Sequence, residues 1–533
     1  MDLKLENIEE LSKISDEYPK YDVNKLREIS IKDPKWLAVG SGNIFRAYIA
    51  KLNQELINKE IYDRGISVLG SSNSEVVEKV YRDFDNLSLS VTLNNDGNFN
   101  VNLLGNIVEV LDYSEKIRLE EIIKNKNLEL ISFIITEKGY NLLDLDGNPL
   151  KTIQEDIDGE PDESKNLMSI ITNMLYKRFK DSKAPIALVA MDNVSKNGDV
   201  LKSAITFLAK AWIAQGKMDH EFMEYLEDET KVSFPWTMID KITPGSAKVV
   251  EEFLLERGFT NISPVKLNKG GFRAPFVNSE EAEYLAIEDK FPNGRPSLEE
   301  VGVIMTDKET VEKLETMKVT ACLNPLHTAL AVYGCLLGYD SISTEMKDDE
   351  LLGLVKGIGY GEAIAVVEDP KVIKPEEFLD EVINIRFPNP YIPDMPQRIS
   401  TDTSQKIPIR FGKTIEKYWK VEDKDQRDLK YIPLAIAGWL RYLLGVDDEG
   451  REMELSPDPL MTILKEAISG IELGRFEPTE KLYDLLENEV IFGVNLVEVG
   501  LSEKILKYFK ELSTSTGSVR KTLKKYTQSD LEV

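Results

Sequence analysis

The stretch WLAVGSGNIFRAYIAKL, residues 36–52, decides the fold. Its first four residues are apolar and predict a short buried strand, and the residues after Asn43 have the apolar spacing of a helix. Gly40 and Gly42 lie between them, where glycines let a backbone approach a pyrophosphate and the helix N-terminus faces it. Phe45 replaces the third glycine of the pattern G-x-G-x-x-G, so the turn by itself also fits an ordinary strand–helix connection.

The pattern around this turn predicts the fold class. A second strand candidate, residues 65–69, follows at the distance typical of a βαβ unit, and the NNDG turn at 94–97 predicts antiparallel additions. From residue 297 onward, apolar residues recur almost throughout at helical spacing. We therefore predict an α/β N-terminal Rossmann-type domain with antiparallel additions, and a predominantly α-helical C-terminal domain. The expected divisions are a helical extension (1–35), the dinucleotide-binding domain (36–296) and a substrate and catalytic domain (297–533).

Composition narrows the function class. A net charge of −27 argues against nucleic acid as a partner, because binding to phosphates needs a basic surface. The only cysteines, Cys322 and Cys335, suit a reducing compartment and supply neither a disulfide framework nor a zinc site. The polar N-terminus and the absence of about 20 successive apolar residues predict a cytoplasmic protein without membrane contact.

Cofactor choice is normally indicated by an acidic residue at the end of the second strand, which binds the ribose hydroxyls. Here that end reads GSSNSE, residues 70–75, and no acid follows the strand directly. Asn73 and Glu75 are the nearest candidates, so NAD is expected while NADP stays open.

The most informative segment is ETMKVTACLNPLHTAL, residues 315–330. Asn324 and Pro325 predict a helix start, with Asn324 as N-cap and His327 in the first turn. Glu315 and Lys318 are three residues apart, on one side of a helix. A capped core helix with one buried histidine explains the same pattern. Since His220 and His327 are the only histidines, a lysine base is favoured over histidine schemes.

A third segment, RISTDTSQK at 398–406, carries cations among hydroxyl and amide side chains, and Arg410 follows it. This mixture suits a carboxylate or another oxygen-rich ligand. A solvated helix face is the alternative interpretation.

Several blocks in order resemble the polyol-specific long-chain dehydrogenases, the mannitol dehydrogenase and fructuronate reductase group. The resemblance extends over residues 36–526 and is carried by GSGNIFRA, TEKGY (136–140), MDN and NGD (191–199), SFPWTMIDKITP (233–244), IEDKFPNGRP (287–296), KVTACLNPLHTAL (318–330) and RISTDTSQKIPIR (398–410). It implies a zinc-independent enzyme with a Rossmann-type domain, a helical domain and an active site between them.

The resemblance also implies roles for single residues. Lys318 would be the general base in alcohol oxidation and the proton donor in ketone reduction, with Glu315 connecting it to solvent. Asn193 and Asn324 would hydrogen-bond the reacting oxygen, which His327 would orient. The residues implied to bind substrate are Asp240, Arg398 and Lys406. The residues implied to bind cofactor are Gly40, Gly42, Asn43, Ile44, Phe45, Arg46, Asn73, Thr136, Glu137 and Ile239.

The sequence departs from the family at one point. Members usually have Lys-x4-Asn-x2-His, whereas five residues separate Lys318 from Asn324. Because Glu315 keeps its distance from Lys318, we place the extra residue within Val319–Leu323.

The implied reaction is reversible hydride transfer from NADH to C5 of D-fructuronate, giving D-mannonate, by a monomer or homodimer. Tagaturonate reductase and mannitol 2-dehydrogenase are the enzymatic alternatives. A non-catalytic nucleotide-binding protein is the alternative of another class, suggested by the shifted spacing and the missing third glycine.

Overall fold

The structure is a computed structural model that describes residues 1–71, 73–144, 146–268 and 270–527. The chain divides into two compact units, Met1–Glu312 and Lys313–Val533. Each unit has its own hydrophobic core, as expected for a chain too long for one.

The strands of the first unit are short and mostly buried on both faces. In chain order they are β1 (Trp36–Val39), β2 (Ile66–Ser71), β3 (Ser88–Leu93), β4 (Phe99–Leu104), β5 (Ile107–Asp112), β6 (Leu130–Phe133), β7 (Ile186–Ala190), β8 (Val232–Ser233), β9 (Thr237–Asp240), β10 (Val265–Lys266), β11 (Phe272–Arg273), β12 (Phe276–Glu280), β13 (Tyr284–Glu288) and β14 (Ile304–Thr306).

A six-stranded parallel sheet has the order β5-β2-β1-β6-β7-β8. Numbered by their sequence within this sheet, the strands run 3-2-1-4-5-6, which is the order of the dinucleotide-binding fold. Val39 pairs with Leu69 on one side and Phe133 on the other, so β1 lies where the order reverses. The predicted Rossmann-type sheet is confirmed.

Smaller sheets make the predicted antiparallel additions. β3 pairs antiparallel with β4 across the NNDG turn and parallel with β12, and β9 pairs antiparallel with β13. β14 joins β13 in parallel, and this pairing keeps residues 297–312 in the first unit. Residues 1–35 also belong to this unit: Arg257 Nη1 lies 2.6 Å from Asp16 Oδ2, and Asp2 bridges Thr260.

Helices pack on the six-stranded sheet and form crossovers between its parallel strands. Those of the first unit are α1 (Ile8–Lys13), α2 (Val23–Lys32), α3 (Ala50–Asn58), α4 (Ser74–Val76), α5 (Lys116–Lys124), α6 (Lys151–Asp158), α7 (Leu167–Asp181), α8 (Asn197–Ala214), α9 (Glu221–Glu227) and α10 (Lys248–Glu256), and α11 (Lys308–Met317) contains the unit boundary.

The second unit is predominantly helical, as predicted, with one two-stranded hairpin, β15 (Ile471–Glu472) and β16 (Arg475–Phe476), among the described residues. Its helices are α12 (Asn324–Leu337), α13 (Ile342–Glu345), α14 (Asp349–Lys356), α15 (Pro375–Glu381), α16 (Pro396–Ile399), α17 (Thr403–Ile407), α18 (Lys413–Lys420), α19 (Tyr431–Tyr442), α20 (Met461–Ala467), α21 (Glu480–Leu486), α22 (Glu489–Phe492), α23 (Ser502–Leu512) and α24 (Ser518–Thr527).

Tighter and wider helical turns connect these elements. The 3₁₀ turns are Leu5–Asn7, Arg82–Phe84, Glu137–Gly139, Pro161–Glu163, Leu298–Val301, Ile364–Val366 and Gln426–Asp428. The π-helical turns are Phe45–Ile49, Val77–Tyr81, Lys318–Cys322, Gly357–Ala363, Val382–Arg386 and Pro408–Gly412.

Two helices are apolar around their whole circumference, which is typical of the centre of a helical core. All twelve residues of α19 are buried, and so are most residues of α12, which packs against it. The continuous helical stretch Lys308–Leu337 is long and apolar enough to cross a membrane by composition, but 78% of its most apolar window is buried in the protein. That burial is the property of a core helix.

Candidate active site

A cavity of about 600 Å³ opens at the carboxyl ends of β1, β6 and β7 in the first unit. In open parallel sheets ligands bind at this edge, at the point where the strand order reverses. The lining comes from loops that follow these strands and from the β9–β12 region: Gly42, Asn43, Ile44, Ile134, Ile135, Thr136, Glu137, Asp192, Asn193, Val194, Thr243 and Arg273.

The two glycines of the first turn have different physical roles. Gly40 has φ +105°, and a Cβ there would lie 2.3 Å from the carbonyl oxygen of Ile134, so no side chain fits. A Cβ at Gly42 would meet no atom within 4 Å. Gly40 therefore closes the turn against the neighbouring strand, while Gly42 keeps its side of the cavity open for a ligand.

The polar side chains in the first turn of the following helix form hydrogen bonds to other parts of the protein. Asn43 Nδ2 donates to the carbonyl of Pro244 at 3.2 Å. Arg46 is buried, donates to the carbonyl of Ala274 at 2.8 Å and lies 5.5 Å from the ring centroid of Tyr81. The guanidinium of Arg46 is therefore engaged within the protein, although the resemblance implies that Arg46 contacts the cofactor. Phe45 is also buried in the core, so only its backbone remains to meet a ligand.

Near the end of the second strand, the two residues predicted to meet the ribose make hydrogen bonds within the protein. Asn73 Oδ1 accepts a hydrogen bond from the backbone N–H of Glu75 at 3.2 Å. The carboxylate of Glu75 accepts from Lys79 Nζ at 2.6 Å and from the N–H of Asn268 at 2.8 Å, and its bond to Lys79 lowers its pKa. Ser72, within the GSSNSE segment, lies outside the described residues.

The loop after β7 places an acid beside the predicted oxygen-binding amide. Asp192 is buried and accepts a hydrogen bond from Tyr140 Oη at 2.5 Å; burial raises its pKa to about 6, against the opposing effect of Tyr140. Asn193 follows it at the cavity. Asn197, the next asparagine along the chain, is buried and bonds Thr237 through both ends of its amide. This geometry favours Asn193 over Asn197 for contact with a ligand.

Two further predicted residues lie on β9. Ile239 and Asp240 are both buried, and Ile239 packs in the apolar cluster that covers β1 and β2. Next to them, the buried Lys241 Nζ donates to Glu283 at 2.9 Å, and burial lowers the pKa of Lys241.

In the second unit, Lys318 opens the π-helical turn Lys318–Cys322 and is buried. The N–H of Leu323 donates to the carbonyl of Lys318 at 3.2 Å, a bond across five residues instead of the usual four. A wide turn of this kind takes up one extra residue without rotating the rest of the helix. It lies within the segment where the sequence carries one residue more than the family pattern.

The predicted cap at Asn324 is wrong. Leu323 occupies the N-cap position, no side chain caps the helix, and Asn324 is the first residue of α12. The reason is that the π turn runs up to Leu323, whose non-helical backbone (φ −123°, ψ −65°) forms the break before α12, so the helix starts one residue earlier than predicted. The side chain of Asn324 is partly exposed and makes no hydrogen bond to the described residues, which leaves its amide available to a ligand.

His327 belongs to a row of polar contacts that the sequence did not reveal. Its Nε2 lies 2.7 Å from Oδ2 of Asp394, and its ring stacks on Phe387 with centroids 5.4 Å apart. The other oxygen of Asp394 accepts from Arg398 Nη2 at 2.6 Å. Burial alone would raise the pKa of Asp394, but His327 and Arg398 together lower it.

Asp394 and Phe387 come from the proline-rich loop 387–395, which follows a π turn and ends at α16. The only sequence signal for Asp394 was its position as an acid four residues before Arg398. Lys406 Nζ donates to the carbonyls of Ile399, at 2.9 Å, and Thr401, and burial together with Arg410 lowers its pKa. The sequence also missed Asp192 and Arg273 at the cavity of the first unit.

The structure describes no group of three or more His, Cys, Asp or Glu side chains that are close enough to hold a metal ion. Cys322 and Cys335 are both buried thiols, and burial raises their pKa values to about 12 and about 11. Neither thiol has the lowered pKa of a catalytic nucleophile.

Two family models match the chain and together cover most of it. Residues 34–300 match the mannitol dehydrogenase Rossmann domain, and residues 310–513 match the mannitol dehydrogenase C-terminal domain.

Individual proteins are similar over nearly the whole chain. A D-mannonate oxidoreductase from Thermotoga maritima is 49% identical over 95% of this chain and 94% of its own length. A Pseudomonas fluorescens mannitol 2-dehydrogenase, solved as a ternary complex with NAD and D-mannitol, is 25% identical, with a TM-score of 0.72 over 98% of this chain and 99% of that one. A substrate-free D-sorbitol dehydrogenase shares the fold, with a TM-score of 0.80 and 23% identity over 97% of this chain and 99% of that chain.

Proposed function

Because the chain belongs to the mannitol dehydrogenase family, we propose that it reduces D-fructuronate to D-mannonate with NADH and catalyses the reverse oxidation. The observation that carries this proposal is the 49% identity to a D-mannonate oxidoreductase over 95% of the chain. Catalysis on a related sugar acid or polyol would use the same residues. The identity of the substrate is therefore what an experiment must test.

The cavity of the first unit fits a dinucleotide. It lies at the reversal of strand order, the helix N-terminus after Gly42 faces it, and Arg273 brings a cation to its lining. The open side of Gly42 leaves room for a pyrophosphate against the backbone. We propose that Gly42, Asn43, Ile44, Thr136 and Glu137 contact NAD, whose nicotinamide ring accepts or delivers the hydride.

Lys318 is the proposed acid and base. Its amine gives a proton to the carbonyl oxygen during reduction and takes it back from the hydroxyl during oxidation. Glu315 lies three residues earlier on the same helix and is proposed to connect Lys318 to solvent protons. The buried position of Lys318 fits this role, because a lysine base must be desolvated to work near neutral pH.

The remaining roles concern oxygen atoms of the substrate. The amides of Asn193 and Asn324 are proposed to donate to the reacting oxygen as it gains charge. His327, held by Asp394, orients the same oxygen, while Asp240, Arg398 and Lys406 are proposed to bind other oxygens of the substrate. We expect this enzyme to act in the cytoplasm as a monomer or homodimer, and the two thiols that stay unpaired support that location.

A panel of substrates tests the proposal. NADH oxidation is followed with D-fructuronate, D-tagaturonate and D-fructose under identical conditions, and kcat/KM is compared. We expect D-fructuronate to give the highest value. Faster turnover of D-fructose than of both uronates would overturn the proposed substrate, and no turnover of any of the three, with NADH still bound, would favour a non-catalytic nucleotide-binding protein.

Lys318→Ala tests the mechanism. Removing the amine should lower kcat by about a thousand-fold, within the range of acid–base catalysis, while NADH binding followed by fluorescence stays unchanged. Lys347→Ala, at an exposed lysine of the same unit, is the matched control and should keep full activity. A Lys318→Ala enzyme with normal kcat would remove this residue from the mechanism.

A further inference from the structure

Arg410 is a cation of the second unit for which the mechanism above has no use. It lies in the π-helical turn Pro408–Gly412, which packs against the turn Lys318–Cys322 and against α12. Its Nη1 donates to Oγ1 of Thr328 at 2.6 Å, and Thr328 is the residue after His327. The guanidinium group is therefore fixed beside the helix that carries the proposed catalytic residues.

Two close contacts hold this turn in place. A Cβ at Gly412 would lie 2.1 Å from the carbonyl oxygen of Phe492, so the backbone of the turn rests directly on α22. Directly after the turn, in α18, Thr414 Oγ1 donates to the carbonyl of Thr320 within the Lys318 turn at 3.3 Å. A guanidinium on such a support is positioned in advance, which is what specific recognition of a ligand requires.

The cations of this segment differ in how far the protein already satisfies them. Arg398 is largely exposed and is paired with Asp394, and the ammonium of Lys406 donates to two carbonyls. Arg410 is partly buried, its hydrogen bond to Thr328 goes to a neutral hydroxyl, and no carboxylate of the described residues pairs with it. Burial accordingly lowers the pKa of Arg410 to about 10, with no acid to oppose the effect.

A guanidinium withdrawn from water normally has an acidic partner, and it matches a carboxylate with two parallel hydrogen bonds. The substrate class supplies such a partner. D-fructuronate differs from D-fructose only in carrying a carboxylate at the end of the chain remote from the ketone. The group that binds this carboxylate must therefore lie near the residue that handles the ketone oxygen without contacting it, and Arg410, bonded to the neighbour of His327, meets that condition.

We propose that Arg410 binds the terminal carboxylate of the sugar-acid substrate and thereby selects sugar acids over neutral ketoses. This inference rests on the proposed function, because it names the residue that gives the site its substrate class.

The test compares two substrates on one variant. For Arg410→Met we expect kcat/KM with D-fructuronate and NADH to fall about a hundred-fold, mainly through KM, because the carboxylate loses a charged partner. With D-fructose the value should stay within about threefold, since that substrate has no carboxylate. Arg410→Lys, which keeps the charge but not the paired geometry, should recover part of the loss.

Arg427→Met is the matched control. Arg427 is an exposed arginine paired with Asp425 in the same unit, and its replacement should change neither substrate's kinetics. Thermal unfolding and NADH binding of Arg410→Met show whether the variant is folded. Equal losses with both substrates would mean that Arg410 supports the structure only, and unchanged kinetics with D-fructuronate would remove it from recognition; either result overturns the proposal.

A binding measurement separates this inference from the proposed function. The dissociation constant of D-mannonate is measured by calorimetry on the wild-type and Arg410→Met enzymes in the presence of NADH. If the wild type does not reduce D-fructuronate but D-mannonate binding still depends on Arg410, the proposed reaction fails and the carboxylate site stands. If the wild type reduces D-fructuronate and D-mannonate binds both enzymes equally, the reaction stands and the carboxylate site fails.

Discussion

The turn Gly40–Arg46 of the first unit and the cluster around His327 in the second are built in two different ways, and both are proposed to bind anions in an acidic protein. In the turn, backbone geometry dominates: one glycine allows close packing, another leaves space, and the nearby arginine is buried in protein contacts. In the cluster, charge dominates, through the chain of His327, Asp394 and Arg398 and the separate Arg410. The comparison teaches that a net charge of −27 does not prevent anion binding where helix N-termini or placed cations act locally.

The strongest challenge to this comparison is Gly40→Ala. The new methyl group would overlap the carbonyl of Ile134 at a positive φ, so we expect a loss of about 3–4 kcal/mol in the free energy of unfolding of the first unit. Urea denaturation measures it. Gly42→Ala is the control at the same turn: it should cost less than about 1 kcal/mol of stability but weaken NADH binding several-fold, because its methyl group points into open space. Equal destabilisation by both changes would show that the two glycines do not divide these roles.

Asp394→Asn tests the cluster around His327 in the second unit. The substitution keeps the shape but removes the negative charge between His327 and Arg398, so His327 loses the group that orients it. We expect kcat to fall about a hundred-fold while NADH binding is unaffected. Asp425→Asn, at an exposed ion pair of the same unit, is the control. If Asp394→Asn weakened NADH binding and left kcat unchanged, Asp394 would not act through the proposed catalytic histidine.

The smallest expected effect concerns the pH dependence of the cofactor cavity. The pKa of Asp192 is raised to about 6, so its carboxyl is mostly neutral below that pH and ionised above it. An ionised carboxylate in the cavity repels an anionic cofactor, and we expect the dissociation constant of NADH to rise about threefold as the pH increases from 5 to 7. Asp192→Asn, which can still accept the hydrogen bond from Tyr140, should remove this dependence. A pH profile shared by both enzymes would assign it to another group.

Much of the fold was predictable because its signals are local. The apolar run before Gly40, the glycine turn and the change to helical spacing after residue 297 each depend on near neighbours in the chain. The blocks of the family resemblance are also local, and the predicted family, fold class and NAD dependence are confirmed. The roles of Lys318, Asn193 and the other site residues stay predictions.

The misses have a common cause. Asn324 was expected to cap a helix, since Asn-Pro is typical of helix starts, but the wide turn after Lys318 moves the break to Leu323, and Asn324 becomes the first residue of the helix. The contacts of Asp394 with His327 and of Asp192 with Tyr140 gave no pattern, because these partners lie 67 and 52 residues away along the chain. Contacts between distant segments leave no periodic signal.

By itself, then, the amino-acid sequence determined which segments become strands and helices, where the glycine turn lies and which family the chain joins, because backbone preferences and apolar periodicity act over a few residues. The tertiary structure alone decided which charges are neutralised and which remain for a ligand. Arg46, Arg398 and Arg410 are identical as residue types, yet Arg46 is enclosed by a carbonyl and a ring, and Arg398 is paired with an acid. Within the described part of the chain, the Arg410 side chain bonds a hydroxyl alone. The physical reason is that solvation and charge pairing depend on what packs around a group, and distant parts of the chain supply those neighbours.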